Sequence, residues 1–310
     1  MELLVGWLAA TPSFAEPYAL AALGLILSER AGVLSLGAEG FILVGALAAV
    51  IACLSLGCGP FLAILVALLA TAAASTVFAF VVVFLRVNQA IAGLATVFLF
   101  QGLTDLVGTL GHWGSRAVAG LDRVPLGPLA NIPVLGPVLF DQDFVIYGTL
   151  PLFAAMHFFF SRSMLGLRLK AVGDSPETAD AVGIKVGLYR FCATIIGSGI
   201  VGVGGAYLAL ADAKVWGAHL ANGRGWIAIA LVVFARWRPW RALAGALLFG
   251  GVEALSPWVA AAGFQVPQYL MLMTPYVATL AVMVWAGYSK PATSGSPLSL
   301  GQPFVREERR

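Results

Sequence analysis

Apolar runs, several long enough to cross a lipid bilayer, recur along this 310-residue chain, and they restrict the fold more than any other feature. About 20 consecutive apolar residues in a helix span the hydrocarbon layer. The runs fall at 17–28, 38–56, 60–84, 90–110, 144–161, 191–211, 226–235, 242–260 and 268–286. The run at 226–235 is too short to cross alone. It is expected either to continue backward through the turn at Ala221–Gly225 or to rest on protein as a half-helix, because unpaired backbone does not lie in lipid. The first dozen residues are expected to be an interfacial piece or an incomplete span. The reading is an all-α polytopic bundle with about nine crossings, eight to ten. Composition excludes the alternatives. Charged residues are 11% and hydrophobic residues 60%, where an ordinary soluble domain has roughly 25% and 45–50%. A soluble enzyme, a nucleic-acid-binding domain and a disordered chain are ruled out.

Lys and Arg set the orientation, because they collect on the cytoplasmic side. With the loop after Ser161 inside, that side gathers Arg30, Arg86, Arg162, Arg168, Lys170, Lys185, Arg190, Arg236, Arg238, Arg241, Lys290, Arg306, Arg309 and Arg310. The other side keeps Arg116, Arg123, Lys214 and Arg224. The C-terminus is then cytoplasmic and, with nine crossings, the N-terminus is outside. The membrane domain covers 1–290. The Gly- and Pro-rich segment 111–143 is an extracytoplasmic folded loop, and 291–310 a mobile cytoplasmic tail. The N-terminus has no basic n-region and makes a poor signal peptide. Cys53, Cys58 and Cys192 lie in apolar stretches and read as small buried hydrophobes.

Two stretches echo each other. Ser28–Ile42 reads SERAGVLSLGAEGFI and Ala211–Ile227 reads ADAKVWGAHLANGRGWI. Each has an acid and a base close together, a Gly-bearing linker, and Gly-aromatic-Ile opening an apolar helix. Each is followed by Pro-aromatic, Pro60–Phe61 and Pro239–Trp240. An odd number of crossings separates them, as in an inverted-topology repeat whose interrupted helices meet near the midplane. Small residues every fourth position, at Ser198, Gly202 and Ala206 and at Ala242, Ala246, Gly250 and Ala254, predict close helix packing.

Ionisable groups at membrane depth cost at least about 2.5–3.5 kcal/mol each unless paired or wet. Glu29, Arg30 and Glu39 lie at the margins of the first two spans, and Glu253 within an apolar helix. The three at the margins are candidates for the wall or gate of a pathway. Alternatively, one of the acids pairs with Arg30 and pins a helix break. Asn88 and Gln89 are pathway amides or a satisfied helix start, and Glu253 is a structural acid or faces a cavity. His112, His157 and His219 are scattered, which leaves no metal-ligand spacing. Catalytic residues are expected to be absent, and an integral-membrane enzyme is disfavoured because no cluster converges on one face. In the basic loop 162–190, Asp174 or Ser175 makes an N-cap, Pro176 fits the first helical position, Glu177 suits the positive helix end and Gly183 the stop. The helix is about two turns and must be held by the spans or by a partner.

ERAGVLSLGAEG (Glu29–Gly40), VNQAIAGLA (Val87–Ala95), GLRLKAVGDSPETADAVGI (Gly166–Ile184) and GRGWIAIAL (Gly223–Leu231) together resemble the membrane permease subunits of ABC importers for nucleosides and simple sugars. The wider family includes the branched-chain amino-acid permeases. The resemblance runs from about residue 17 to 287. Ser35 stands where the family usually has Asn, and Asp174–Ser175 replaces the commoner Glu-Asn. The resemblance implies a transport subunit of the bacterial cytoplasmic membrane, working by alternating access. Gly173, Asp174, Ser175, Pro176, Glu177, Ala179, Asp180 and Gly183 would form the element that couples to an ATPase. The chain has no GxxxxGK[ST] phosphate cradle, so ATP–Mg belongs to that partner and no cofactor is expected here. Further implied partners are a second permease, most often a different chain of the family, an extracytoplasmic solute-binding protein and the lipid bilayer, with no nucleic acid. Nucleoside is favoured over sugar because Glu29–Gly40 resembles that branch. An ion-gradient-driven secondary transporter is the competing expectation, since it would explain an inverted repeat equally well.

Overall fold

The computed structural model describes residues 2–114, 116–118, 120–261 and 295–305, with five isolated helical positions between 273 and 284. The run at 268–286 lies outside the described residues apart from those positions. The N-terminal dozen is not a separate piece: α1 is one helix, Glu2–Arg30, that contains Pro12 and Pro17. Proline is tolerated in such a helix where neighbours satisfy the local carbonyls, and here Gln142 Nε2 donates to the Ala9 carbonyl at 2.9 Å. α2 (Ala38–Leu54) and α3 (Pro60–Val83) follow, the latter opened by its proline. Asn88 Oδ1 accepts from the amides of Ala90 (3.0 Å) and Ile91 (3.2 Å) and so starts α4 (Gln89–Leu110).

The segment after α4 is irregular, with one short antiparallel pair, Val124–Pro125 against Asp141–Gln142. Asp143 caps α5 (Phe144–Arg162), and Ser163 caps α6 (Met164–Asp174). Then come α7 (Pro176–Ala181), α8 (Val186–Tyr207) with a wider turn continuing to Asp212, α9 (Arg224–Ala235) and α10 (Pro239–Ala261). α9 does not continue backward through Ala221–Gly225. Gly223 precedes it with φ 82° and interrupts the helix there. Six of the described helices are long and apolar enough to cross a membrane, and α2 and α9 are shorter apolar helices. The chain is an all-α polytopic membrane bundle.

Packing makes the internal echo three-dimensional. α1 rests on α8 and α10, and α8 rests on α1 and α3. α2 packs on α8 as α9 packs on α1, and α2 meets α3 as α9 meets α10. Exchanging α1 with α8, α2 with α9 and α3 with α10 therefore reproduces the contact pattern. α1 and α8 are buried over most of their length and form the centre, while α5 is largely exposed. They cross at Gly24 and Gly197, where a Cβ on either would collide with the other's carbonyl. The small-residue stripes face inward as expected: Ser198, Ala206, Ala242, Ala246 and Ala254 are all buried. In contrast, the cysteines are not core residues. Cys53 and Cys58 are half-buried, and Cys192 is exposed.

Candidate functional site

The site is built around α9. Twelve residues make about 18 Å of helix, too short for a hydrocarbon layer of about 30 Å. Both ends are held by residues that flank the segment joining α1 to α2. At the N-terminus, the Glu39 carboxylate accepts from the amides of Gly223 (2.7 Å) and Gly225 (2.8 Å). These are orphan donors of a helix start, and an anion there also meets the positive end of the helix. Gly225 packs on Glu39 so closely that a Cβ would lie 2.6 Å from its Cα and 2.7 Å from its Oε2. The first turns of the two half-helices thus abut. At the other end the chain leaves α9 through Arg236 and Trp237, both with positive φ. The Trp237 indole N–H donates to Glu29 Oε2 at 2.6 Å. Its carbonyl accepts from Arg30 Nε (3.2 Å) and Nη2 (3.1 Å).

Neither Glu29 nor Glu39 pairs with Arg30; each holds an end of α9 instead. Glu29 Oε1 is buried without a partner. Gln89 is buried and braces the same segment, its Oε1 accepting from the Leu34 amide at 2.6 Å. Asn88 is apart from this assembly, and its side-chain oxygen is used in capping α4. Glu253 joins a network that sequence reasoning did not find. It accepts from Arg224 Nη2 at 2.6 Å and from the Tyr18 hydroxyl at 2.8 Å, and Arg224 also meets Asp212 at 3.3 Å. The signal was present in the second copy of the echo, which puts Arg224 where the first has Glu39.

The α6–α7 module touches that segment directly. Gly173, in the last turn of α6, lies against Arg30 and Gly32: a Cβ there would press on the Arg30 carbonyl and sit 3.2 Å from the Gly32 nitrogen. α7 has its N-cap at Ser175 and Pro176 in the first helical position, as expected, and Gly183 has φ 85°. The Ser175 hydroxyl bonds the Thr178 hydroxyl at 2.7 Å rather than a backbone amide. Glu177 lies in the first turn, Ala179 is buried with Val172 and Val186, and Asp174 ends α6. Asp180 lies in the same short helix.

The tail expected to be mobile is instead docked at 295–305. The Ser299 amide and hydroxyl both donate to the Gly173 carbonyl, at 3.0 and 2.6 Å. The Gly301 amide donates to the Gly32 carbonyl at 3.3 Å. Buried Arg190 donates to the Gln302 carbonyl (2.8 Å) and the Ser299 hydroxyl (3.1 Å). Phe304 completes the small apolar cluster of Val172, Ala179 and Val186. A polar, Pro- and Ser-containing sequence gave no sign of this, because its affinity comes from a buried guanidinium and two glycine carbonyls elsewhere in the chain. Among the described residues no group of His, Cys, Asp or Glu could hold a metal ion.

The arrangement has known counterparts by sequence. The chain is 38% identical to a putative glucose ABC transporter permease of Haloferax volcanii, over 99% of both chains. It is 31% identical to a guanosine ABC transporter permease of Bacillus subtilis, over 97% of this chain and 96% of that one. A nucleoside ABC transporter permease of Lactococcus lactis is 30% identical over 87% and 88%. The family described as the permease component of branched-chain amino acid transport systems matches residues 8–285. With a match over nearly the whole bundle, this chain belongs to that permease family.

Proposed function

We propose that the chain is the membrane subunit of an ATP-driven importer of nucleosides or simple sugars, moved by a separate ATPase that docks on α7. The observation that carries this reading is the contact of Gly173 with Arg30 and Gly32. With that contact, the α6–α7 module rests on the segment whose flanking residues grip both ends of α9. An ATPase that displaced α7 would displace that segment, and with it a half-helix whose first turn abuts that of α2. Glu29, Arg30, Glu39 and Gln89 act here as the holders of a gate, and Gly173 to Gly183 as the coupling element. In this orientation the α7 end is cytoplasmic, as is the C-terminus. A second permease subunit would complete the pathway and an extracytoplasmic binding protein would deliver solute. The relatives named for glucose and for guanosine or nucleosides support both substrate classes.

The test is uptake into vesicles holding the assembled complex. Uptake should require ATP and the partner ATPase and should survive an ionophore. Collapse by the ionophore would favour an ion-driven carrier. Glu177→Lys, or deletion of Asp174–Ala181, should abolish uptake while the protein stays inserted. If the deletion variant still retained the ATPase in a pull-down, α7 would not be the docking element.

A further inference from the structure

We propose that a basic pocket between α5, α6 and the α9–α10 turn binds the phosphate headgroup of an anionic phospholipid. Arg30, Lys170, Arg238 and Arg241 line one cavity of about 450 Å³, with Trp240 at its edge. Among the described residues no carboxylate pairs with Lys170, Arg238 or Arg241 within 4 Å. Four like charges around one cavity repel; Asp174 and the Phe160 ring under Lys170 offset part of that cost, and an anion in the cavity would offset more. A general excess of positive charge on one membrane side does not account for it, since that excess needs only exposed side chains. Arg30 and Lys170 are half-buried here. Burial, and then the field of Arg30, lowers the pKa of the Lys170 ammonium, with Asp174 opposing.

The placement suits a lipid. The cavity lies in the last turn of α5, at Ser161, and at the start of α10, at Pro239. That is the headgroup level for helices that span the layer. The first turn of α10 forms one wall, so its positive end faces the same anion. Trp240 is 42% exposed, as an interfacial ring would be, and Leu247, two turns along the same face of α10, is 41% exposed and offers an apolar track for an acyl chain. Basic pockets between membrane helices on the cytoplasmic side are a recognised form of headgroup site. Because Arg30 also holds the Trp237 carbonyl, a bound headgroup would touch the α1–α9 junction.

The experiment is native mass spectrometry of the full chain in detergent, titrated with phosphatidylglycerol, with phosphatidylcholine, and with inorganic phosphate as competitor. Phosphatidylglycerol should be retained and phosphatidylcholine lost. The Lys170→Gln/Arg241→Gln variant should bind phosphatidylglycerol about 30-fold more weakly, from the attraction typical of two basic residues near a membrane surface. Arg162→Gln/Arg168→Gln, with the same loss of charge outside the pocket, should bind as the parent does. Should the first variant fail to fold, Arg238→Gln, which changes an exposed side chain, should still show a loss. Equal loss in both double variants, equal retention of phosphatidylcholine, or displacement by millimolar phosphate would overturn the proposal. So would pocket variants that lose partner association while their lipid affinity is unchanged. This site does not depend on how transport is driven.

Discussion

Gly173→Ala tests whether the α6–α7 module drives the gate segment by contact. A Cβ at 173 would overlap the Arg30 carbonyl oxygen, lie 3.0 Å from the carbonyl carbon and 3.2 Å from the Gly32 nitrogen. Carbon contacts are optimal at about 3.5–4.0 Å, so α6 and the segment must separate by about 1 Å. Inserting a methyl into such a contact costs typically about 1–3 kcal/mol. Strain on the two Ser299 bonds to the Gly173 carbonyl adds about 0.5–1.5 kcal/mol for each one lost. If that energy biases the position of the gate segment, a shift of 1–3 kcal/mol corresponds to about 5- to 150-fold in its equilibrium. The assay is uptake and ATP hydrolysis by the reconstituted complex, normalised to inserted protein. Uptake should fall at least about fivefold, at the low end of that range, while association with the ATPase persists. Gly148→Ala is the control: nothing lies within 4 Å of its Cβ position on α5, and alanine is favoured over glycine in a helix by about 1 kcal/mol. Unchanged uptake and hydrolysis in Gly173→Ala would refute the argument, because the contact would then carry no motion.

Three other perturbations probe the same assembly. Glu39→Ala removes the acceptor for two amides of α9; at about 1.5–3 kcal/mol per charge-assisted bond, it should lower the melting temperature in detergent and reduce uptake, and Glu39→Gln should do so by less. Trp237→Phe leaves the Glu29 carboxylate with neither oxygen partnered and should destabilise by about 1–3 kcal/mol. Adding Glu29→Leu should recover part of that loss in a double-mutant cycle; strict additivity would mean the pair is uncoupled. Ser299→Ala deprives Arg190 and Gly173 of a shared hydroxyl. It should lower solute moved per ATP hydrolysed while leaving insertion intact, and an unchanged ratio would make the docked tail irrelevant to coupling.

Much of the fold was legible because its signals are local. Apolar runs located the helices, Pro60 and Pro239 marked helix starts, and Asn88 and Ser175 fell at the caps. Repeat symmetry was readable from Gly40-Phe-Ile and Gly225-Trp-Ile because both copies need a glycine where another helix approaches closely, α4 at Gly40 and the first turn of α2 at Gly225. The partners of each acid were not legible. Glu29 and Arg30 are adjacent in sequence, yet both act on Trp237, 208 and 207 residues away. Pairing at that separation follows from which helices share a face, and an apolar bundle offers too little variation in sequence to say so. The first dozen residues, expected to be a separate piece, instead run through Pro12 and Pro17 into one helix. Helix interruption is a strong expectation in water, where the freed backbone can hydrate, and a weak one inside a bundle that excludes water.

Under the proposed coupling, the connection between α1 and α2 would let a six-residue helix move a twelve-residue one. Arg30 and Glu39 bracket that connection, and nine peptide steps reach about 30 Å when extended, more than the roughly 18 Å of α9. The segment can therefore run beside α9 and grip its far ends, through Trp237 and through Gly223 and Gly225. A push on one end of a helix alone would bend or fray it. A push on a brace joined to both ends moves it as a unit, since its internal hydrogen bonds are not loaded. The pseudo-symmetric position differs: Arg224, the counterpart of Glu39, turns to Glu253 and Asp212 rather than to the start of α2. The repeat thus supplies two similar half-helices, and Glu39 adds to the chain connection that already joins α2 to this segment a hydrogen-bonded tie to α9, which Arg224 does not return.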